Sequence, residues 1–346
     1  MQQVAQKLHR ARVAAIYLVH GTFVGHDALG LLNEFSRAFP RLGQRLQRKI
    51  QRGVDRATGD AGNFTAAYAH LLQSGLNLAE ADRIRVRLFR WSGQNHHLGR
   101  ADAAVRLLDE LAGLGLGAEQ RVLLWGHSHA GNVFALLSNL LGADAKTVED
   151  VFSAAKVYYR WPLIGRIDLP VWQRVQRLLQ QGWKPRPALD MVTFGTPIRY
   201  GWDGGGYDRL LHFVFHRQTS GVSEYQATFP PALKEILRDP QHDYVQQLGI
   251  AGTNIVPNLW CWRAWSADRR LHRLFQGPGL ENAAARFRSG RVVSEEGTTL
   301  LVDYGSQRGA VTEHLAGHAV YTRTQWLLFH AETVAQQFYG ASAAPQ

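Results

Sequence analysis

The chain has very little cysteine and lysine, and it lacks long apolar runs. Its one cysteine, Cys261, cannot form a disulfide within the chain, and its tryptophan-rich surroundings at 259–262 favour a buried structural thiol. The apolar segment 13–19 is too short for a secretion signal, and no run reaches the roughly 18 apolar residues that a membrane-spanning helix needs. These absences predict a cytoplasmic protein.

Because lysine is scarce, arginine carries most of the basic charge. The formal net charge is +11, yet lysine occurs only at Lys7, Lys49, Lys146, Lys156, Lys184 and Lys234. This charge indicates either attraction to an anionic membrane surface or an arginine-rich exterior with no such partner. Nucleic acid is not expected as a partner, since the sequence has no zinc-finger, RNA-recognition or helix-turn-helix signature.

The remaining composition is typical of a globular protein, with 45% hydrophobic and 19% charged residues. Buried-type strands alternate with segments of helical spacing. The predicted strands are 14–19, 83–91, 121–125, 191–194 and 210–215, followed by a hairpin over 291–303 and a closing helix over 324–338. This alternation predicts an α/β fold with a mostly parallel sheet flanked by helices.

Two long insertions interrupt the predicted domain. Residues 1–141 and 190–340 are assigned to a single catalytic domain, and 142–189 to a helical cap or lid rich in aromatic residues. A second aromatic-rich insertion covers 220–280. The first insertion either forms a lid over an acyl pocket or packs as a structural cap.

A strand running into a helix carries the strongest chemical signal. Gly126-His127-Ser128-His129-Ala130-Gly131 follows the strand at 121–125 and leads into the helical run 133–141. A serine on such a tight turn needs small neighbours two residues before and after it, and Gly126 and Ala130 meet that demand. The turn would expose the hydroxyl at a helix N-terminus, where free N–H groups stabilise an oxyanion. Ser128 is therefore the candidate nucleophile.

A serine nucleophile needs a base and a carboxylate that orients the base. His318 is the predicted base, because it lies in a loop after the last strand and before the closing helix, and His314 is the fallback. Asp243 is the predicted acid, although about 25 residues separate it from the preceding strand. Asp303 is the alternative acid, and Asp203 is the third choice.

The oxyanion hole of such a site takes one N–H from the residue after the nucleophile and one from the loop after an earlier strand. The first would come from His129 and the second from Thr22 or Phe23. Gly21 would let that loop approach the serine. His20 is predicted to be a hydrogen-bonded brace rather than a base.

These motifs together resemble the α/β-hydrolase superfamily of lipases and esterases. Five segments occur in the family's order: 20–23, 126–131, 194–197, 243–245 and 318–321. The resemblance implies an acyl-enzyme mechanism on esters without a metal or an organic cofactor. The departures from the family's pattern are Ala130 in the place of a glycine, the remote acid and the two insertions.

The predicted function is a serine hydrolase of carboxylic esters, with an acyl-enzyme on Ser128. The basic charge and the aromatic insertions favour a lipid-like ester, as in a lipase or phospholipase, over a small soluble ester. A thioesterase or an amidase on the same fold remains open, as does a catalytically inactive binding protein. Metal-assisted hydrolysis is not favoured, since neither His127 and His129 nor His96 and His97 have the spacing of a zinc site.

Overall fold

The structure is a computed structural model of the chain. It describes residues 1–22, 62–77, 83–159, 170–197, 199–227, 232–248, 255, 261–275, 293 and 296–340. Phe23, one of the two predicted oxyanion-hole donors of the early loop, lies outside the described residues.

A parallel sheet forms the centre of the fold. Its strands are β1 (Val13–Val19), β2 (Arg85–Phe89), β3 (Arg121–His127), β4 (Ala188–Phe194), β5 (Arg209–Phe215) and β6 (Thr298–Val302). They lie in the order β2-β1-β3-β4-β5-β6, and every neighbouring pair is parallel. The predicted α/β fold with a parallel sheet is therefore confirmed.

Helices surround this sheet in the described residues. They are α1 (Gln2–Arg10), α2 (Ala66–Leu76), α3 (His97–Ala112), α4 (Ala130–Gly142), α5 (Ala145–Tyr159), α6 (Pro170–Gln180), α7 (Leu233–Arg238), α8 (Tyr244–Leu248), α9 (Trp262–Phe275), α10 (Val311–His314) and α11 (Leu327–Tyr339). The closing helix begins three residues later than predicted, because 324–326 forms a turn of 3-10 helix.

The central strands are apolar on both faces because each face is covered by helices. On one face, side chains of β1 and β3 pack with those of α3, α4, α5, α6 and α9. On the other face, the alternate side chains of the same strands pack with those of α1, α2 and α11. The edge strand β2 alternates exposed and covered residues instead. The result is a three-layer arrangement with a core on each side of the sheet.

The first arm of the hairpin predicted over 291–303 lies largely outside the described residues, and its second arm forms the edge strand β6. Thr298–Val302 pairs in parallel with β5, from Leu211 beside Thr298 to Phe215 beside Val302. Gly297, at φ +72°, directly precedes this strand, and a Cβ there would lie 2.7 Å from Leu210 Cγ. The turn residues before Thr298 therefore lead the chain onto the sheet edge, and local turn signals alone could not identify the pairing partner.

The described helices of the insertion 142–189 belong to the layer beside α3. Helices α5 and α6 contact each other. In addition, α6 contacts α3, and α5 contacts α9 of the second insertion. Trp172 is fully buried there, stacks on Tyr159 and donates a hydrogen bond from Nε1 to Asp102 on α3 at 2.7 Å. A lid role for this segment stays a prediction. None of the helices among the described residues is long and apolar enough to cross a membrane.

The aromatic contacts of Phe194, at the end of β4, yield a stability prediction. Phe194 is fully buried and stacks between Trp125 and Phe213, with ring centroids 5.2 and 5.0 Å away. Phe194→Ala should lower the free energy of unfolding by about 3–5 kcal/mol, because it removes the ring and leaves a cavity. Leu71→Ala, at a side chain that is 55% exposed, is the control and should change little. Urea unfolding followed by tryptophan fluorescence measures both, and equal effects would contradict the packing.

Candidate active site

Ser128 lies on the turn between β3 and α4. Its φ is +58°, a left-handed conformation that is uncommon and costly for a residue with a side chain. Its N–H donates to Phe194 O at 2.8 Å, and its carbonyl accepts from Thr196 Oγ1 at 2.8 Å. The end of β4 thus holds the strained turn in place. Ser128 itself is 4% exposed.

Small residues around Ser128 are needed for close approach. A Cβ on Gly126 would lie 2.5 Å from Phe134 Cε2 and 3.1 Å from Ala130 Cβ. A Cβ on Gly131 would overlap the side chain of Thr196. On the helix side, the glycine that close approach requires is therefore Gly131, one position after Ala130.

Asp243 and His318 are in direct contact. His318 Nδ1 lies 2.8 Å from Asp243 Oδ2 and 3.0 Å from Oδ1. Asp243 is fully buried, and His318 is 5% exposed. A proton on Nδ1 donated to the carboxylate leaves Nε2 of the neutral ring as a proton acceptor. The structure thus places together the predicted acid and the predicted base.

Two further donors satisfy the Asp243 carboxylate. Tyr321 Oη donates to Oδ2 at 2.7 Å, and the Gln246 N–H donates to Oδ1 at 2.8 Å. Burial raises the pKa of Tyr321 well above its ordinary value, and the charge of Asp243 adds to this effect. The phenol therefore stays a donor, and the buried charge has the several hydrogen bonds that it requires.

Asp243 lies beside the end of β5, although the two are far apart in the sequence. His216, directly after β5, forms an antiparallel bridge with His242, and the Arg217 N–H donates to Gln241 O at 2.9 Å. The Asp243 N–H then donates to Phe215 O at 3.0 Å. The segment between Arg217 and Gln241 therefore leaves and returns to the same strand end, and Asp243 occupies the position of a residue that follows β5.

Contacts of His127 and Gly195 connect Ser128 with the acid–histidine pair. The His127 ring lies with its centroid 4.6 Å from that of His318, and its Nε2–H donates to His318 O at 3.0 Å. Burial lowers the pKa of His127 well below its usual value, so the ring is neutral. Gly195, at φ +58°, follows the residue that accepts from Ser128, and a Cβ there would overlap Asp243 Oδ2.

His318 Nε2 is buried and has no hydrogen-bond partner among the described residues. The Ser128 hydroxyl therefore makes no hydrogen bond with this nitrogen in the structure. Catalytic hydrogen bonds are often long without substrate and tighten when it binds. The His318–Asp243 hydrogen bond is therefore formed in the structure, whereas a hydrogen bond between Ser128 and His318 is not.

The predicted oxyanion-hole donors belong to the loop after β1 and to the start of α4. A Cβ on Gly21 would lie 2.6 Å from Ser128 Cβ and 3.2 Å from Ser128 Oγ, so the early loop passes directly against the serine. Thr22, the next residue, is partly exposed. His129 is the N-cap residue of α4, where backbone N–H groups have no acceptor within the helix. Thr22 and His129 stay the predicted oxyanion-hole donors.

The side chain of His129 is fixed by Asn132. Asn132 Oδ1 accepts from the Arg199 N–H at 3.0 Å, and this contact assigns the amide orientation. Its Nδ2 then donates to His129 Nδ1 at 2.9 Å and to Pro197 O at 2.7 Å. Burial lowers the pKa of His129 well below its usual value, so the ring is neutral with its proton on Nε2.

His20 has the contacts of a brace. Its Nδ1 donates to Gly21 O at 2.8 Å, and its Nε2 accepts from the Trp91 N–H at 3.3 Å. The Trp91 Nε1–H donates to His20 O at 2.7 Å. These contacts hold the loop that carries Gly21 against the end of β2.

The structure separates the other candidates from His318. The Asp303 side chain is 55% exposed and pairs with Arg217 at 3.3 Å. Asp203 accepts from the Gly205 N–H, and a Cβ on Gly142 would overlap its carboxylate, which places it at the far end of α4. His314 is buried and its Nδ1 accepts from the Ala316 N–H.

The described part of the chain contains no cluster of three or more histidine, cysteine or acidic side chains that could hold a metal ion. His127 and His129 contact different partners, as given above. His97 contacts Tyr200 and His272 instead of joining His96 in a site.

Sequence reasoning missed the supporting roles of His127, Asn132 and Tyr321. Tyr321 stands three residues after His318, a spacing that brings its ring back towards the same carboxylate in a short 3-10 turn. His127 precedes the nucleophile, and Asn132 lies four residues after it. His127 and Tyr321 contact segments that are far away in the sequence, so only spacing from Ser128 or His318 could have indicated these roles.

Comparison with known proteins does not assign this arrangement to a family. No protein-family model, no curated protein and no solved structure matches the chain. The functional argument therefore depends on the geometry of the chain's own residues.

Gly195 offers a direct test of the site's construction. Gly195→Ala should destabilise the protein by about 2–4 kcal/mol, because a side chain at positive φ is strained and its methyl would overlap Asp243 and Tyr321. Gly204→Ala is the matched control, since a Cβ there meets open space at negative φ. Thermal unfolding compares the two variants. A Gly195→Ala protein as stable as the control would contradict the close approach of Gly195 to Asp243.

Proposed function

We propose that the protein is a serine hydrolase that cleaves carboxylic esters through an acyl-enzyme on Ser128. The single observation that carries the proposal is the buried Asp243–His318 pair, set beside a serine held at positive φ between β3 and α4. A fully buried carboxylate aligned on a histidine is costly to maintain without a role for the oriented ring.

The reaction starts when the Ser128 hydroxyl attacks the carbonyl carbon of the ester. His318 Nε2 accepts the hydroxyl proton as the Oγ–carbon bond forms, and Asp243 stabilises the resulting imidazolium through Nδ1. Backbone N–H groups of His129 and of the loop at Thr22 stabilise the tetrahedral oxyanion. His318 gives the proton to the alcohol as the bond between the carbonyl carbon and the alcohol oxygen breaks, which leaves the acyl group on Ser128. The same ring then takes a proton from a water that attacks the acyl-enzyme. It returns this proton to Ser128 Oγ as the acid leaves.

The proposal includes the α/β-hydrolase fold. The parallel sheet, the serine on the turn between a strand and a helix, and the chain order of serine, acid and histidine support it. The lipid-like substrate, the anionic membrane surface and the lid at 142–189 stay predictions. Thioesters and amides can follow the same route, so they belong in the substrate panel.

A catalytically inactive binding protein is the second candidate. The observation that favours it is the open contact between Ser128 and His318 Nε2, which has no partner among the described residues. Measurable ester hydrolysis that depends on Ser128 separates the two candidates.

Replacing the nucleophile should abolish hydrolysis while leaving the fold intact. Ser128→Ala should lower kcat on a panel of 4-nitrophenyl esters about a million-fold, because a serine triad acts as a unit. Ser153→Ala, on the exposed face of α5, is the matched control and should retain full activity. Circular dichroism checks the fold of both. Retained hydrolysis in the Ser128 variant would contradict the mechanism.

The two candidate acids should differ sharply. Asp243→Asn should lower kcat by about four orders of magnitude, since an amide there favours the wrong tautomer of His318. Asp303→Asn should change kcat little, because Asp303 is exposed and contacts Arg217. Both are measured on the same ester at pH 7 and 9. Equal and mild losses would show that neither carboxylate orients the base.

A further inference from the structure

An open cavity of about 780 Å³ lies at the edge of the sheet where β1 and β2 begin. Residues 13–15 of β1 form part of its wall, and Arg85 of β2 forms another part. Because all strands of a parallel sheet begin at the same edge, this cavity lies at the opposite end of the strands from the turn that carries Ser128. Its volume is within the range of small-molecule sites, roughly 300–1,000 Å³.

Three arginines line this cavity. Arg12 joins α1 to β1, and Arg83 and Arg85 are at alternate positions where β2 begins. All three residues are exposed. Their guanidinium groups make no hydrogen bond or ion pair with any residue that the structure describes. By contrast, Arg121 at the start of β3 pairs with Asp208.

Contacts with α2 determine the direction of Arg83 and Arg85. Asn77, at the end of α2, accepts from the Ile84 N–H at 2.7 Å and donates from Nδ2 to Ile84 O at 2.9 Å. The Ile84 side chain is 1% exposed. Because side chains alternate between the two sides of an extended chain, Arg83 and Arg85 both lie on the side opposite to Ile84. The two guanidinium groups therefore belong to one face.

Arg12 is held in a strained backbone conformation. Its φ is +58°, in the left-handed region that is costly for a residue with a side chain. Its N–H donates to His9 O at 2.9 Å, and its carbonyl accepts from the Arg121 N–H at 2.9 Å. The end of α1 and the start of β3 thus keep this conformation in place. A glycine would adopt it without strain, so the arginine lowers the stability of the turn.

The charge of the arginines is compensated only in part. Among the described residues that line the cavity, Glu119 is the single acidic one. It makes no ion pair with the three arginines. A Cβ on Gly117 would lie 3.2 Å from Glu119 Oε1, so this carboxylate is folded back over its own loop. The described lining therefore has an excess of two positive charges, with His9 counted as neutral.

We propose that this cavity binds a phosphate monoester group through Arg12, Arg83 and Arg85. Such a group carries close to two negative charges at neutral pH, which matches the excess charge of the described lining. Guanidinium groups donate paired hydrogen bonds to phosphate oxygens. Leu114 and Leu116, both partly buried, also line the cavity and would contact the organic part of the ligand. The proposal is independent of the proposed ester hydrolysis, since the two sites share no residue.

Phenyl phosphate tests this site without any reaction. Isothermal titration of the wild-type protein should show one saturable site at about pH 8, where the phosphate is a dianion. Arg83→Gln and Arg85→Gln should each weaken the binding about tenfold or more, the effect of one hydrogen bond to a charged group. Arg270→Gln, at an exposed arginine on α9, is the matched control and should bind as the wild type does. Thermal unfolding checks that each variant is folded.

A second arm identifies the source of the phosphate group. Vesicles of phosphatidylcholine that contain phosphatidic acid present the group as a lipid headgroup. Sedimentation with these vesicles, but not with phosphatidylcholine alone, assigns a headgroup if Arg83→Gln and Arg85→Gln abolish it. Saturable binding of phenyl phosphate without such sedimentation assigns a soluble ligand. Either result supports the site.

Two results would overturn the site. One is the failure of both arms, with no saturable binding of phenyl phosphate and no sedimentation that depends on Arg83 and Arg85. The other is binding that Arg270→Gln weakens as much as Arg83→Gln does, because such binding reflects the overall positive charge of the protein instead of this cavity. Both results leave the proposed serine hydrolase unaffected, and loss of hydrolysis in the Ser128 experiments leaves the phosphate site unaffected.

Discussion

The buried carboxylate of Asp243 is the interaction on which the site depends. An ionised carboxyl group without water must receive hydrogen bonds from the protein, and here they come from His318, Tyr321 and the backbone of Gln246. Gln246 belongs to α8, whereas His318 and Tyr321 belong to the segment before α11. The Tyr321 hydroxyl also accepts from the Phe215 N–H, at the end of β5, so the carboxylate ties both segments to the sheet. The same hydrogen bonds therefore orient the His318 ring and hold the segments of the site together.

Close approach of backbones makes this arrangement fit. Gly195 and Gly317 both have positive φ, and a Cβ on Gly317 would overlap the carbonyl of His242. The histidine loop reaches Gly317 through Leu315 and Ala316, which are also left-handed. With Ser128 at φ +58°, backbone strain gathers around the residues that would react. Such strain is retained when the surroundings hold it in place, which is common at functional sites.

The sequence predicted the parallel sheet and its covering helices better than the pairing of the last strand, β6. Alternating apolar strands and helices predicted the parallel sheet, because a strand buried on both faces has few polar residues. The parallel pairing of β6 with β5 was not predicted, because turn residues do not identify a pairing partner. Small residues around Ser128 revealed the turn, but the contacts of His127 and Tyr321 depend on loops that meet only in three dimensions.

The central claim is that Ser128 is an activated nucleophile. Labelling of the purified protein with a fluorophosphonate probe, followed by mass spectrometry of the modified peptide, tests it most directly. The account predicts one modified residue, Ser128, with labelling that is lost in Ser128→Ala and strongly slowed in Asp243→Asn. Labelling confined to another residue, or none in a protein that still hydrolyses esters, would contradict the account.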